Sequence, residues 1–171
     1  LADLLRGLAQ NLLHAAATAA AAAPAPASSR CHLAKLLERG IDVLPGNKVA
    51  IASRRGDIFV GENVFGEEPE PTWTLFARGL HEVLGIAWKD GWLYLTQRPE
   101  VSRIKDSDGD GRADVFETLG DGWGINGDYH EYAFGTPPDK DGNVWVVLCL
   151  TGSFNANSPW RGWCFRITPD G

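Results

Sequence analysis

WKDGWLYLT, Trp88–Thr96, sets a tight Asp-Gly turn ahead of a run crowded with aromatic and branched apolar side chains. Asp-Gly suits the twist of a two-residue hairpin, and side chains of this kind fit a pleated, half-buried surface, so the stretch predicts a turn feeding a β-strand. The pattern returns in LPGNKVAIA (Leu44–Ala52), in DKDGNVWVV (Asp139–Val147) and, shortened, in TPDG (Thr168–Gly171). The turn glycines Gly46, Gly91 and Gly142 are 45 and 51 residues apart, which is the length of one four-stranded propeller blade.

Working outward from these turns, strands are expected near Lys48–Ser53, Asp57–Gly61, Thr72–Phe76, Leu84–Trp88, Trp92–Gln97, Ser102–Lys105, Asp114–Thr118, Tyr132–Gly135, Val144–Leu150 and Trp163–Thr168. The expected fold is therefore all-β over residues 41–171, a β-propeller. About three blades fit between Gly40 and Gly171, fewer than the four to eight of typical closed rings, so they are expected to belong to a larger, six-bladed ring or an open fragment of one.

The chain before Gly40 differs in kind. Ten of the thirteen residues from Ala15 to Ala27 are alanine, and Pro24 and Pro26 then break any helix, so residues 1–29 read as a helical, low-complexity leader. An alanine-rich core ending in small residues is compatible with a secretory signal, or equally with a plain low-complexity tail. CHLAKLLERG (Cys31–Gly40) has helical spacing and a closing glycine, which predicts a short helix over residues 30–40. No methionine occurs, position 1 included, so the chain is expected to be a processed form or a piece of a longer reading frame.

A formal charge of −6 gives no basic footprint for nucleic acid. Leu1–Ala23 is interrupted by Asp3, Arg6, Gln10, Asn11 and His14, which leaves no apolar run long enough to cross a bilayer. The three cysteines, Cys31, Cys149 and Cys164, form no C-x-x-C. Cys149 and Cys164 fall in two apolar runs able to pair as a hairpin; a cross-strand disulfide and two buried thiols are both consistent with that.

DSDGDGRADVFE (Asp106–Glu117) carries acids at positions 1, 3, 5, 9 and 12 of twelve, with glycine at position 6. Calcium prefers six to eight oxygen ligands, and Asp106, Asp108, Asp110, the backbone carbonyl of Arg112, Asp114 and Glu117 offer such a set at the spacing of an EF-hand loop. Flanking helices are missing from the pattern. The expectation is a calcium-clamped turn between antiparallel strands, structural in role, with Glu117 the least secure ligand because strand alternation can point it away. A solvated acidic turn without an ion is the competing reading.

His81 and His130 are the histidines within the β region, each followed by glutamate and each placed just before a strand. His130, with Asp128 and Glu131 beside it, is the candidate catalytic base, since a nearby carboxylate can orient an imidazole and raise its basicity. Against this stands a histidine whose nitrogens are satisfied by backbone groups. Seven tryptophans fit blade packing better than a stacking platform. No phosphate loop, nucleophile elbow or zinc motif is present.

RGDIFV, DGDGRAD, YHEYAFG and RGWCFRITPDG together make residues Ile41–Gly171 resemble the propeller region of large secreted proteins of planctomycete-type bacteria labelled membrane-bound dehydrogenases. These are related to the soluble quinoprotein glucose and sorbosone dehydrogenases. The resemblance implies a secreted or periplasmic, quinoprotein-like sugar or alcohol dehydrogenase that uses calcium and pyrroloquinoline quinone, with a sugar or alcohol as partner and the remaining blades supplied by a longer chain. It places His130, followed by Phe134-Gly135 and Asp141-Gly142, on the family's base, which takes the hydroxyl proton while the quinone accepts hydride. The chain departs from the family in having Glu131 and Tyr132 where paired glycines usually follow that histidine. A non-catalytic, calcium-stabilised propeller binding carbohydrate or protein is the alternative.

Overall fold

The structure is a computed structural model and describes residues 38–65, 69–125, 131–135, 137–149 and 159–171. All of them fall in the unit Glu38–Gly171, and the leader and most of the 30–40 helix lie outside the described residues. Glu38–Gly40, expected to end that helix, instead begin a strand, β1 (Glu38–Leu44). Its ladder with the next strand, from Leu44↔Lys48 to Gly40↔Ala52, supplies the backbone partners. The alternation of Ile41, Val43 and the residues between was not legible as a strand beside the alanine-rich segment.

Ten further strands follow close to their expected places: β2 (Lys48–Ser53), β3 (Ile58–Glu62), β4 (Thr72–Ala77), β5 (Gly85–Lys89), β6 (Trp92–Thr96), β7 (Val101–Lys105), β8 (Val115–Gly120), β9 (Ala133–Gly135), β10 (Val144–Leu148) and β11 (Cys164–Ile167). They form three antiparallel sheets, β1-β2-β3-β4, β5-β6-β7-β8 and β9-β10-β11, each paired in chain order. No helix occurs among the described residues. The fold is thus all-β.

The glycine turns explain the order. Asp90 and Gly91 both take positive φ, 50° and 84°, and join Lys89 directly to its partner Trp92, the geometry of a type I′ hairpin. The Gly46 turn is longer, Pro45 to Asn47, with Gly46 and Asn47 both at positive φ. In each sheet the repeated turn precedes the second strand, β2, β6 or β10. TPDG does not: it follows β11, the third strand of its sheet, and so occupies the place that the acidic loop holds after β7. SRIKDSDGDG and FRITPDG are thus the positional counterparts, with Arg103-Ile104 matching Arg166-Ile167.

Alternation along β6 and β7 decides the packing. Leu93, Leu95 and Ile104 face the first sheet, against Ala50, Ala52, Ile58, Val60 and Phe76. Tyr94 and Val101 point the other way, against Val144, Val146, Leu148 and the fully buried Trp123. The second sheet is therefore the middle layer of three, covered on both faces, which is why WLYLT is apolar at nearly every position. Truncating one of these leucines, for instance Leu93→Ala, costs about 2–5 kcal/mol at such a site.

The first strands of the three sheets lie alongside one another, β1 by β5 and β5 by β9. Trp88 N–H donates to Asp42 Oδ2 at 2.6 Å across the first gap. At the second gap Gly85 and Gly135 let the backbones approach: a Cβ on Gly85 would stand 3.2 Å from the Gly135 carbonyl oxygen. Lys89 Nζ closes the same gap by donating to the Asp139 carbonyl.

Candidate functional site

Two polar constellations form at opposite ends of the second sheet. β7 hands directly to Asp106 at one end, while the β6–β7 turn carries Arg98 at the other. Five residues of strand at about 3.3 Å each separate them by about 16 Å.

At the first end, Asp106, Asp108 and Asp110 bring one carboxylate oxygen each to within 4.8 Å of one another. Their arrangement follows from the loop backbone. Gly109 and Gly111 take φ of 82° and 87°, and their N–H groups donate to Asp106 Oδ1 at 2.6 Å and Oδ2 at 2.8 Å. Asp110 N–H donates to Asp108 Oδ1, and Arg112 N–H to Asp110 Oδ1. These donors, Gly111 N–H foremost, hold the Asp106 carboxyl below the ordinary carboxylate range. Each oxygen keeps a lone pair for a cation, so the three carboxylates fit a hard divalent ion such as calcium.

Asp114 and Glu117 are held by other partners. Asp114 accepts from Ser107, from N–H at 2.7 Å and from the hydroxyl at 2.5 Å, and the hydroxyl is the main cause that lowers its pKa. Glu117 accepts from Arg103 Nε and Nη2, both at 2.7 Å, across the β7–β8 ladder where the two residues are register partners. Strand alternation thus turns Glu117 away from the aspartates. Arg112 is exposed. The loop also reaches the neighbouring sheet, where Ala113 N–H donates to the Phe76 carbonyl at 2.8 Å. An ion held here would fix a contact between sheets as well as a hairpin.

At the second end, Arg98 joins the two His-Glu segments. Its Nη1 donates to Glu82 Oε2 at 2.9 Å and its Nε to the Glu131 carbonyl at 3.1 Å. Its own carbonyl accepts from Trp123 Nε1 at 2.8 Å, and its guanidinium lies over the Tyr132 ring. Glu82 also faces Arg54 Nε at 3.7 Å. His81 is exposed; its backbone N–H donates to Gln97 Oε1 at 2.6 Å. His130 lies outside the described residues. The residue that follows it, Glu131, has no exposed surface, and its carboxylate faces Arg161 Nη2 at 3.7 Å.

Arg161 has a side chain only 6% exposed. Nη2 donates to the Gly124 carbonyl at 3.1 Å, but Nε and Nη1 are buried with no hydrogen-bond partner among the described residues. Burying guanidinium donors without acceptors is costly, and ordered water or a bound acceptor is what satisfies such groups. Arg98 and Arg161 were missed from sequence. Arg98 sits in an unremarkable turn, TQRPE, and the one signal for Arg161 was a lone charge between Trp160 and Trp163.

Cys149 is half-buried and Cys164 exposed. β11 pairs with β10 as expected, but Cys164 stands opposite Val147, two residues before Cys149. No helix among the described residues is long and apolar enough to cross a membrane. No family model, curated protein or solved structure matches the chain.

Proposed function

We propose that residues 41–171 are about three blades of a calcium-stabilised β-propeller, part of a secreted or periplasmic quinoprotein-like dehydrogenase of sugars or alcohols. Three meander sheets stacked in chain order with adjacent first strands are what successive blades around one axis would present. The far face of the third sheet exposes Phe134, Trp145 and Val147, an apolar surface that a further blade would cover.

The observation that carries the dehydrogenase reading is Arg161, whose buried Nε and Nη1 find no acceptor among the described residues and whose Nη2 faces the carboxylate of Glu131, the residue after His130 in sequence. Pyrroloquinoline quinone is rich in carboxylate and carbonyl acceptors, the chemistry an arginine pairs with, and Arg161 would hold it by one such oxygen if the cover over its side chain opens to admit it. When bound, the quinone supplies the hydride acceptor. The chain's own part is then electrostatic and acid-base: Arg98 ties the Glu82 and Glu131 segments into one frame, and His130 takes the substrate hydroxyl proton. Asp106, Asp108 and Asp110 would hold calcium about 16 Å away, as scaffold.

The test is reconstitution of the full-length protein with pyrroloquinoline quinone and calcium, followed by cofactor absorbance and dye-linked oxidation of a sugar and alcohol panel. His130→Gln is expected to lower turnover by about 10²–10⁴ while its melting temperature stays with the wild type, and His81→Gln to remain active. Equal loss of activity and stability in both variants would refute the base role. Neither bound cofactor nor turnover would leave the non-catalytic propeller that binds carbohydrate or protein.

A further inference from the structure

Each contact between neighbouring sheets has an apolar part and a polar part, and the two outer sheets hold opposite halves of such a contact unfilled. Leu93 and Leu95 of β6 face the preceding sheet, and Val144 and Val146 of β10 do the same. Val49 and Ile51 are the second and fourth residues of β2, as Leu93 and Leu95 are of β6. They alternate with Ala50 and Ala52, which face the second sheet, and so point away from it. Both are buried but lie outside the two cores of the described residues, and Val43, the register partner of Val49, is 45% exposed. On the third sheet, Trp145 and Val147 alternate with Val144 and Val146 and, with Phe134, are exposed on the outer face.

The polar part is an arginine in the hairpin between second and third strands. Arg54 Nε faces the Glu82 carboxylate at 3.7 Å, and Arg98 Nε donates to the Glu131 carbonyl at 3.1 Å. In both cases the acceptor belongs to the connector that enters the next sheet. The two glutamates are equivalent: each stands three residues ahead of the strand residue, Gly85 or Phe134, whose register partner lies five past the turn glycine. Arg161 holds the same place between β10 and β11, and its buried Nε finds no acceptor among the described residues.

We propose that a second copy of this chain covers both faces, its first sheet packing on the third sheet of the other copy as the third packs on the second. One chain carries both sides of that contact, the aliphatic face of the first sheet and the aromatic face of the third. Two such contacts, head to tail, close a ring of six sheets and leave no apolar face open, whereas a single one would propagate as a filament. The main chain at the entry to β1 of the second copy supplies the acceptor for Arg161 Nε, and Nη1 remains for the acceptor described above. The inference rests on the propeller reading and on neither quinone nor turnover.

Sedimentation velocity and thiol alkylation on the full chain test it. The expected species has twice the 18.5 kDa of one chain, with Kd on the order of 1 μM, and the exposed Cys164, register partner of Val147, is alkylated more slowly as the dimer forms. Val43→Glu and Val147→Lys sit at exposed positions, where unchanged circular dichroism is expected, and each buries a charge in both contacts of the ring, weakening the dimer at least about tenfold. Mixing the two variants restores a dimer, because one contact is then native on both sides. A monomeric wild type overturns the proposal. So does a dimer that neither variant weakens, one that a single variant weakens, which would join two like faces, or a pair of variants that do not restore each other. A monomer leaves the propeller reading standing, with blades of a longer chain as the cover; that reading fails instead if Cys164 of the full-length protein is alkylated as fast as in urea.

Discussion

Gly135→Ala probes how tightly the third sheet lies on the second, and hence whether the entry to β9 is held where the Arg98 network needs it. A Cβ at Gly135 would fall 1.8 Å from Thr96 Oγ1 and 2.8 Å from Thr96 Cβ. Rotating Thr96 about χ1 moves its hydroxyl but not its Cβ. That contact is short of ordinary carbon–carbon separation by about 0.7–1.2 Å, and Thr96 is 3% exposed with no space to retreat into. The backbones must separate. Overpacking of this kind costs about 1–3 kcal/mol, or a melting temperature lower by about 3–9 °C for a chain of this size. Urea unfolding with a constant m-value measures it. Gly122→Ala is the control, because nothing lies within 4 Å of its new methyl, and its change should stay within about 0.5 kcal/mol. Adding Thr96→Ala to Gly135→Ala should return a coupling of at least about 0.5 kcal/mol. If Gly135→Ala proves as harmless as Gly122→Ala, the close approach of β9 to β6 is wrong.

Calcium should raise the melting temperature, with about 2.7 kcal/mol of stabilisation when the ion is at a hundred times its Kd, and Asp108→Ala should match the chelated wild type; indifference to both chelator and added calcium would refute the metal assignment. Asp139 is held at about 2, against an ordinary 3.8, chiefly by the Asn143 side chain, with backbone N–H groups and Trp145 adding to it. Its folded pKa lies below the unfolded one, so its contribution is complete above about pH 4 and is lost as pH falls towards about 2. Unfolding midpoints of wild type and Asp139→Asn should therefore converge across that acid window, and a difference independent of pH would contradict the assignment.

Local pattern placed ten of the eleven strands, because glycine turns with positive φ and alternating or fully apolar runs are encoded within a few residues. It also placed the acidic turn between β7 and β8, since charge spacing and glycine geometry are local. β1 escaped because Glu38–Gly40 complete a plausible helix when read alone, and only the β2 ladder makes them a strand. Glu117 had the right spacing for a ligand, yet cross-strand register gave it to Arg103. The cleft between the first and second sheets, which Lys48 and Asp106 line, and the Arg98 frame have no sequence signature at all. Lys48 and Asp106 are separated by 58 residues of chain and Glu82 and Glu131 by 49, and what brings them together is the burial of Leu93 and Leu95 on one face of β6 and Tyr94 on the other. The sequence by itself settled which segments are strands and where they turn. Face-to-face packing of whole sheets, driven by apolar burial summed over many residues, decided which polar groups meet.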